Sequence, residues 1–162
     1  MKKINFLTQA AMIAALYVVL TLAINAFGLA SGAIQVRVSE ALTILPYFTP
    51  AAIPGLFIGC LLSNTITGCA LFDIIFGSIA TLLGAVGTYL LRGHKWLAPV
   101  SPIIANTIIV PFVLSYVYGT PGTIPYLMLT VGIGEVLSCG VLGMVLLFAL
   151  NKYRTILFGV QN

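Results

Sequence analysis

Residues 35–46 read QVRVSEALTILP, and they place two opposite charges, Arg37 and Glu40, between long hydrophobic runs. Charged residues make up only 6% of the 162-residue chain, whereas hydrophobic residues make up 60%. Average soluble domains carry about 25% charged residues, so this chain cannot cover itself with a charged surface. The composition therefore predicts a single all-α, multi-pass transmembrane domain over residues 1–162, located in the cell membrane.

Five hydrophobic runs flank and follow this stretch. Each is long enough to cross the hydrocarbon as a helix, which takes about 20 residues, and turn-forming residues separate the runs. They cover about residues 4–28, 51–69, 71–91, 98–117 and 124–150. The first run is longer than the apolar core of a signal peptide, so we interpret it as a retained helix.

The basic residues test this count of crossings. They cluster before the first run, after the third and after the fifth, at residues 2–3, 92–95 and 152–154. Short basic segments favour the cytoplasmic side, so an even number of crossings must separate the first two clusters. Only three of the five hydrophobic runs lie between these two clusters. A fourth, shorter crossing over about residues 37–48 gives a bundle of six transmembrane helices with both termini cytoplasmic.

Ionisable side chains inside a membrane are costly, so they usually face a cavity, pair with one another or bind a ligand. In the six-helix topology, the three acidic residues and Arg37 can converge on the outer half of the bundle. Simpler roles exist as well. Arg37 and Glu40 could form an intrahelical ion pair, Asp73 could cap a helix start, and Asn64 and Asn106 could hydrogen-bond between helices.

Carboxylates accept paired N–H donors, and carboxamides both accept and donate, so together they suit a small, flat, nitrogen-rich ligand. Aromatic residues near the outer face could stack on such a ligand, although interfacial belts also explain tyrosines in membrane proteins. The predicted substrate-binding residues are Arg37, Glu40, Asn64, Phe72, Asp73, Asn106, Tyr116 and Glu135.

Several classes of function lack their signatures. The sequence contains no GxxxxGK[ST] phosphate loop, no CxxC and no Cys/His pair at metal-ligand spacing. The only histidine, His94, lies in a basic loop without a nucleophile beside it. We therefore predict that the chain is not an enzyme, has no catalytic residues, metal or cofactor of its own, and does not bind nucleic acid.

A stripe of small residues marks the first helix. Residues 8–17 read TQAAMIAALY, which places Ala10 and Ala14, and Ala11 and Ala15, four positions apart. Such a stripe lets another helix approach closely. It can serve ordinary packing within the bundle. Its position at the cytoplasmic end favours the other role, so we predict that all four alanines form a docking face for a partner protein.

A six-helix membrane protein of this size with an AxxxA stripe early in the first helix resembles the substrate-binding S components of energy-coupling factor (ECF) transporters. The stretches QVRVSEALTILPYFTP, GLFIGCLLSNTITG and FDIIFGSIATLLGAVGTYLLR look like the QueT family within that group. The resemblance covers nearly the whole chain.

This resemblance implies uptake of a queuosine precursor, which could be the base 7-aminomethyl-7-deazaguanine, queuine or the nucleoside. It also implies a complex with a transmembrane T component and two ATPase subunits that use ATP. The predicted carboxylates, carboxamides and Arg37 match the edges of a 7-deazaguanine, but the sequence does not assign each carboxylate to a ligand group.

Two other classes of function remain open from the residues. One is a stand-alone secondary transporter of a small polar, vitamin-like molecule, with Glu135 or Asp73 as the proton-coupled group. The other is an intramembrane enzyme that acts on a lipid, against which the lack of a metal cluster counts.

Overall fold

The computed structural model describes residues 2–28 and 37–158, and these residues form helices and turns without β-strands. A long helix, α1, opens the chain, and a buried 3₁₀ helix follows it. The last long helix changes from α to π geometry and back again. The elements are α1 (Lys2–Ala26), the 3₁₀ helix (Val38–Tyr47), α2 (Ala52–Ile66), α3 (Leu71–Leu90), α4 (Val100–Tyr116), α5 (Ile124–Glu135), the π-helical segment (Val136–Leu142), α6 (Gly143–Asn151) and α7 (Arg154–Phe158).

Four helical stretches of the described residues are long and apolar enough to cross a membrane, which confirms the predicted helical, multi-pass class. They are Asn5–Ala26, Leu71–Leu90, Lys95–Tyr116 and Ile124–Asn151. The run predicted near residues 51–69 is shorter than expected, because α2 has only 15 residues and is about 22 Å long. Gly68 ends this stretch with a left-handed backbone (φ 73°), a common way to stop a helix.

The helix predicted at residues 37–48 is present, but as a 3₁₀ helix that the rest of the bundle surrounds. It has ten residues, so at about 2.0 Å per residue it is about 20 Å long, and Pro46 lies inside it. It packs against α1, α3, α6 and the π-helical segment. Because it is shorter than the hydrocarbon of about 30 Å, the count of six crossings and the cytoplasmic termini stay predictions.

The core forms where α1, the 3₁₀ helix and α2 meet. Ile13, Tyr17, Leu42 and Leu56 are buried in one hydrophobic cluster there. The opposite face of α1 is exposed, as Met12, with 61% of its surface exposed, illustrates. An apolar face of this kind is expected for a helix that contacts lipid.

Three contacts show which helix ends lie together. Phe48, at the end of the 3₁₀ helix, is buried in one hydrophobic cluster with Ala98 of the α3–α4 loop and Leu147 of α6. Thr49, after the 3₁₀ helix, donates a hydrogen bond to Gln9 of α1. The rings of Trp96 and Phe148 pack edge to face, which joins the α3–α4 loop to α6. These contacts place the start of α1, the α3–α4 loop and the end of α6 at one end of the bundle, which we call the basic end. The opposite end, where α2 meets α3 and α4 meets α5, is the cavity end.

Candidate functional site

A polar cavity of about 350 Å³ opens at the cavity end of the bundle. Three of the predicted binding residues line it, namely Arg37, Asn64 and Asp73. Most of the other lining side chains are polar as well, so the cavity offers hydrogen-bond donors and acceptors on several sides. They include Tyr17, Thr21, Asn25, Ser39, Thr67, Tyr118 and Thr120.

Asp73 and Asn64 approach each other across the α2–α3 junction. Both are buried, with 6% and 5% of their surfaces exposed. Gly77 makes room for them: a Cβ atom at this glycine would lie 3.2 Å from Asn64 Nδ2 and 3.3 Å from Asp73 Oδ1. The carboxylate and the carboxamide can therefore act on one ligand as a pair.

A tyrosine from the α4–α5 loop joins this pair. The Tyr118 hydroxyl donates a hydrogen bond to Asp73 Oδ2 (2.9 Å) and accepts one from the backbone N–H of Ala70 (3.1 Å). Burial, together with the hydrogen bond to Asp73, raises the pKa of Tyr118 to about 12, so the phenol stays protonated at neutral pH. Asp73 therefore contacts both the cavity and this loop from its position in the first turn of α3.

Arg37 lines the cavity, and the alternative role of an intrahelical ion pair with Glu40 is not what the backbone favours. Its backbone is extended (φ −98°, ψ 94°), and its N–H donates a hydrogen bond to Ser138 Oγ at 3.1 Å. Among the described residues, no carboxylate oxygen lies within 4.0 Å of its guanidinium nitrogens. Because Arg37 is a lining residue, its positive charge lies beside the cavity.

Glu40, Asn106 and Glu135 come together in a second group, which we call the buried carboxyl cluster. Glu40 has 1% of its surface exposed. It accepts a hydrogen bond from the Tyr17 hydroxyl and a longer one from Asn106 Nδ2 at 3.4 Å. Because Tyr17 also lines the cavity, it separates this cluster from the cavity and connects the two through its hydroxyl group.

Glu135 completes the cluster at the end of α5, where the π-helical segment begins. The Cys139 thiol, one turn later, lies 3.3 Å from Glu135 Oε2. One donor atom from each of Glu40, Glu135 and Cys139 lies within 4.8 Å of the others, so these atoms could in principle hold a cation. The carboxylates already accept hydrogen bonds, and the prediction that the chain has no metal stays a prediction.

Comparison with known proteins identifies the family. A family model described as QueT transporter matches residues 7–152. This chain belongs to the QueT transporter family. A relative in Lactococcus lactis subsp. cremoris (strain MG1363), named queuosine precursor transporter QueT, is 38% identical over 73 residues. That alignment covers 45% of this chain and 43% of the relative. No solved structure matches the chain.

Membership of the QueT family confirms the predicted resemblance. It also confirms that the chain belongs with transporters and is not an enzyme. The match covers α1 to the end of α6, so the cavity and the buried carboxyl cluster both lie inside the region that defines the family.

Two predicted site residues of this QueT chain lie elsewhere. Phe72 and Tyr116 are exposed, by 57% and 76%, and both line an apolar groove between α3 and α4. Their rings stack on Phe76 and Phe112 respectively. The structure therefore does not bring these two rings to the polar cavity, and the alternative role at the membrane surface fits their positions better.

The alanine stripe of α1 divides between two faces. Ala10 and Ala14 are buried, and their backbones lie where a Cβ atom of Gly55 or Gly59 would have to go. This pair of alanines thus packs α1 closely against α2, which corrects the expectation that all four alanines form one docking face. Ala11 and Ala15 are exposed, and the docking prediction continues to apply to them.

Two residues of the site were missed because nothing local in the sequence marks them. Tyr17 lies in an apolar run and meets Glu40 from 23 positions away. Tyr118 is 45 positions from Asp73. Both look like interfacial or core tyrosines until the fold brings a carboxylate to each hydroxyl group.

Proposed function

We propose that this QueT family member is the substrate-binding S component of an ECF-type importer and that it captures a queuosine precursor in the polar cavity. The observation that carries the proposal is the convergence of Arg37, Asn64 and Asp73 on one cavity of about 350 Å³. Ligand sites for small molecules have volumes of about 300–1,000 Å³, so one bicyclic base is of suitable size.

The chemistry of the three side chains supports a 7-deazaguanine base. Its N1–H and exocyclic amine lie on one edge, where a carboxylate such as Asp73 can accept both hydrogen bonds. Its carbonyl oxygen needs a donor, which the Arg37 guanidinium or the Asn64 carboxamide supplies. The buried carboxyl cluster lies behind Tyr17, so carboxyl oxygens are close to the cavity for a ligand that carries an aminomethyl group.

Partner proteins supply the energy in this proposal. The chain has no phosphate-loop motif, so ATP is used by two ATPase subunits, and a transmembrane T component connects them to this chain. The exposed Ala11 and Ala15 offer the T component a smooth helix surface. The chain itself needs no cofactor.

Mass spectrometry of the purified chain tests the substrate class. The chain is produced without its partners in cells supplied with the precursor, extracted in detergent, and analysed for retained small molecules. We expect a 7-deazaguanine base from the wild type and much less from Asp73→Asn, which keeps the shape of the side chain but removes its charge. Retention of a chemically unrelated molecule by both proteins contradicts the proposal.

The buried carboxyl cluster favours a second candidate, a proton-coupled secondary transporter. One carboxyl oxygen of Glu40 lies within 4.8 Å of one of Glu135, and neighbouring acidic side chains inside a membrane are typical of proton relays in transporters. Uptake by cells that lack the ATPase subunits distinguishes the candidates. The importer proposal requires that this uptake disappears, whereas uptake that persists and depends on the proton gradient favours the second candidate.

A further inference from the structure

The basic end of the bundle carries positive charge that no acidic side chain offsets. The chain has seven Lys and Arg residues and only three Asp and Glu residues. Asp73 lines the cavity, while Glu40 and Glu135 belong to the buried carboxyl cluster. The α3–α4 loop and the segment after α6 therefore present their cations without a carboxylate neighbour among the described residues.

An aromatic pair joins these two basic segments. The Trp96 ring lies 5.7 Å from that of Phe148, and 73% of Trp96 remains exposed. Lys95 precedes Trp96 directly, and Lys152 lies one helical turn after Phe148, so it projects from the same side of the helix. Each ring of this aromatic pair is thus close along its own segment to a basic residue.

Nearby rings hold two of the charges in place. The Arg92 guanidinium lies 4.0 Å from the centre of the Tyr89 ring, and the Lys152 ammonium lies 5.8 Å from that of Tyr153. Arg92 and Lys152 themselves are exposed, so both charges can still reach a ligand. Tryptophan favours the level of the lipid headgroups, and basic pockets between helix ends bind anionic headgroups.

We propose that Arg92, Lys95 and Lys152, arranged around Trp96, form a binding site for the phosphate headgroup of an anionic phospholipid. The lipid phosphate supplies the negative charge that this end of the protein lacks, and its acyl chains lie along the exposed apolar faces of α3 and α6. The proposal concerns the end of the bundle opposite the cavity and does not depend on the transported substrate.

Trp96 is the only tryptophan of the chain, so fluorescence excited at a wavelength that the seven tyrosines do not absorb reports on this site alone. The purified chain is reconstituted in phosphatidylcholine vesicles that contain increasing fractions of dibrominated phosphatidylglycerol or dibrominated phosphatidylcholine. Both leaflets carry the quencher, so the direction of insertion does not matter. One cation near an anionic membrane surface favours binding about fivefold. We therefore expect the brominated anionic lipid to reach half-maximal quenching at a lower fraction of the vesicle lipid than brominated phosphatidylcholine does. The two fractions should differ at least fivefold.

Charge variants separate a site from general contact with lipid. The double variant Arg92→Gln/Lys152→Gln should lose the preference and be quenched equally by the two lipids. The matched control Arg92→Lys/Lys152→Arg should keep it. Raising the salt concentration to about 1 M, where the Debye length is about 3 Å, should weaken the preference.

Three results overturn the proposal. The first is equal quenching of the wild type by the anionic and the zwitterionic lipid. The second is an unchanged preference in the Gln double variant. The third is full reversal of the preference by millimolar glycerol phosphate, which would show that the site takes free phosphate and not a membrane lipid.

Discussion

Gly77→Ala perturbs the cavity through the smallest change that the chain offers. Its new Cβ atom would lie 3.2 Å from Asn64 Nδ2 and 3.3 Å from Asp73 Oδ1. These distances are shorter than an ordinary van der Waals contact, so both polar ends must move by a few tenths of an ångström. They are the free ends of flexible side chains, and they can move without displacing the backbone.

We therefore expect Gly77→Ala to make the folded protein more stable and to make its binding of the ligand weaker. Replacing a glycine by alanine inside a helix stabilises it by about 0.5–1 kcal/mol. Ligand binding weakens because the Asp73 carboxylate is displaced. A hydrogen bond from a ligand donor to this carboxylate is worth about 1.5 kcal/mol or more. That loss corresponds to about a tenfold higher dissociation constant. We expect Gly77→Ala to unfold at the same temperature as the wild type or higher, and to bind the precursor about tenfold more weakly.

Gly84 of the same helix supplies the control. A Cβ atom there would lie 2.8 Å from Pro102 Cα, a backbone atom of α4, so α3 and α4 must separate. Overpacking of this kind typically costs about 1–3 kcal/mol. Thermal unfolding in detergent and calorimetric titration are measured on both variants. If Gly77→Ala is folded and binds the precursor within twofold of the wild type, then Asn64 and Asp73 do not hold the ligand.

Four further variants test the loop contact, the alanine stripe and the buried carboxyl cluster. Tyr118→Phe removes the hydroxyl bonded to Asp73, so ligand affinity should fall several-fold by calorimetry; an unchanged value would show that the loop contact is not used in binding. Ala15→Trp should abolish cellular uptake and leave ligand binding intact, because Ala15 lies on the exposed face of α1. Ala14→Trp should lower the unfolding temperature, because Ala14 packs against α2. If the two variants behave alike, the alanines do not lie on two faces with different roles. Glu40→Gln should weaken binding less than Asp73→Asn does, because Glu40 does not line the cavity; the reverse order would place the ligand in the buried carboxyl cluster.

Composition and periodicity were sufficient to predict the helices but not all of their geometry. The runs of apolar residues located α1, α3, α4 and the long helix from Ile124 to Asn151. The charge count drew attention to residues 37–48, where a helix is present. Its 3₁₀ geometry was not predictable, because the helix is packed against five neighbouring elements and the local sequence does not contain that information.

The candidate site was predictable in its residue types and not in its grouping. The cost of burying charge correctly singled out Glu40, Glu135 and Asp73 as residues that must find polar partners. Sequence spacing left an ion pair between Arg37 and Glu40 open as an alternative to ligand binding. Arg37 is extended and lies outside the 3₁₀ helix, so a spacing of three residues does not place the two side chains on one helix face. Which carboxylate faces the cavity depends on long-range packing.

The alanine stripe of α1 was also predictable only in part. The spacing of Ala10, Ala11, Ala14 and Ala15 predicted a smooth helix surface correctly but gave no information on its direction. The α1–α2 contact uses Ala10 and Ala14 because Gly55 and Gly59 face them, and glycines 40 or more residues away cannot be paired with alanines from one sequence.

Calorimetric titration of 7-aminomethyl-7-deazaguanine into the isolated chain tests the central claim most directly. The account predicts binding of one molecule per chain without T component or ATPases. It also predicts that Asp73→Asn raises the dissociation constant by about one to two decades, as expected for loss of a charged hydrogen bond worth about 1.5–3 kcal/mol. Binding of this base with equal affinity by the wild type and by a folded Asp73→Asn variant would contradict the assignment of the cavity as the substrate site.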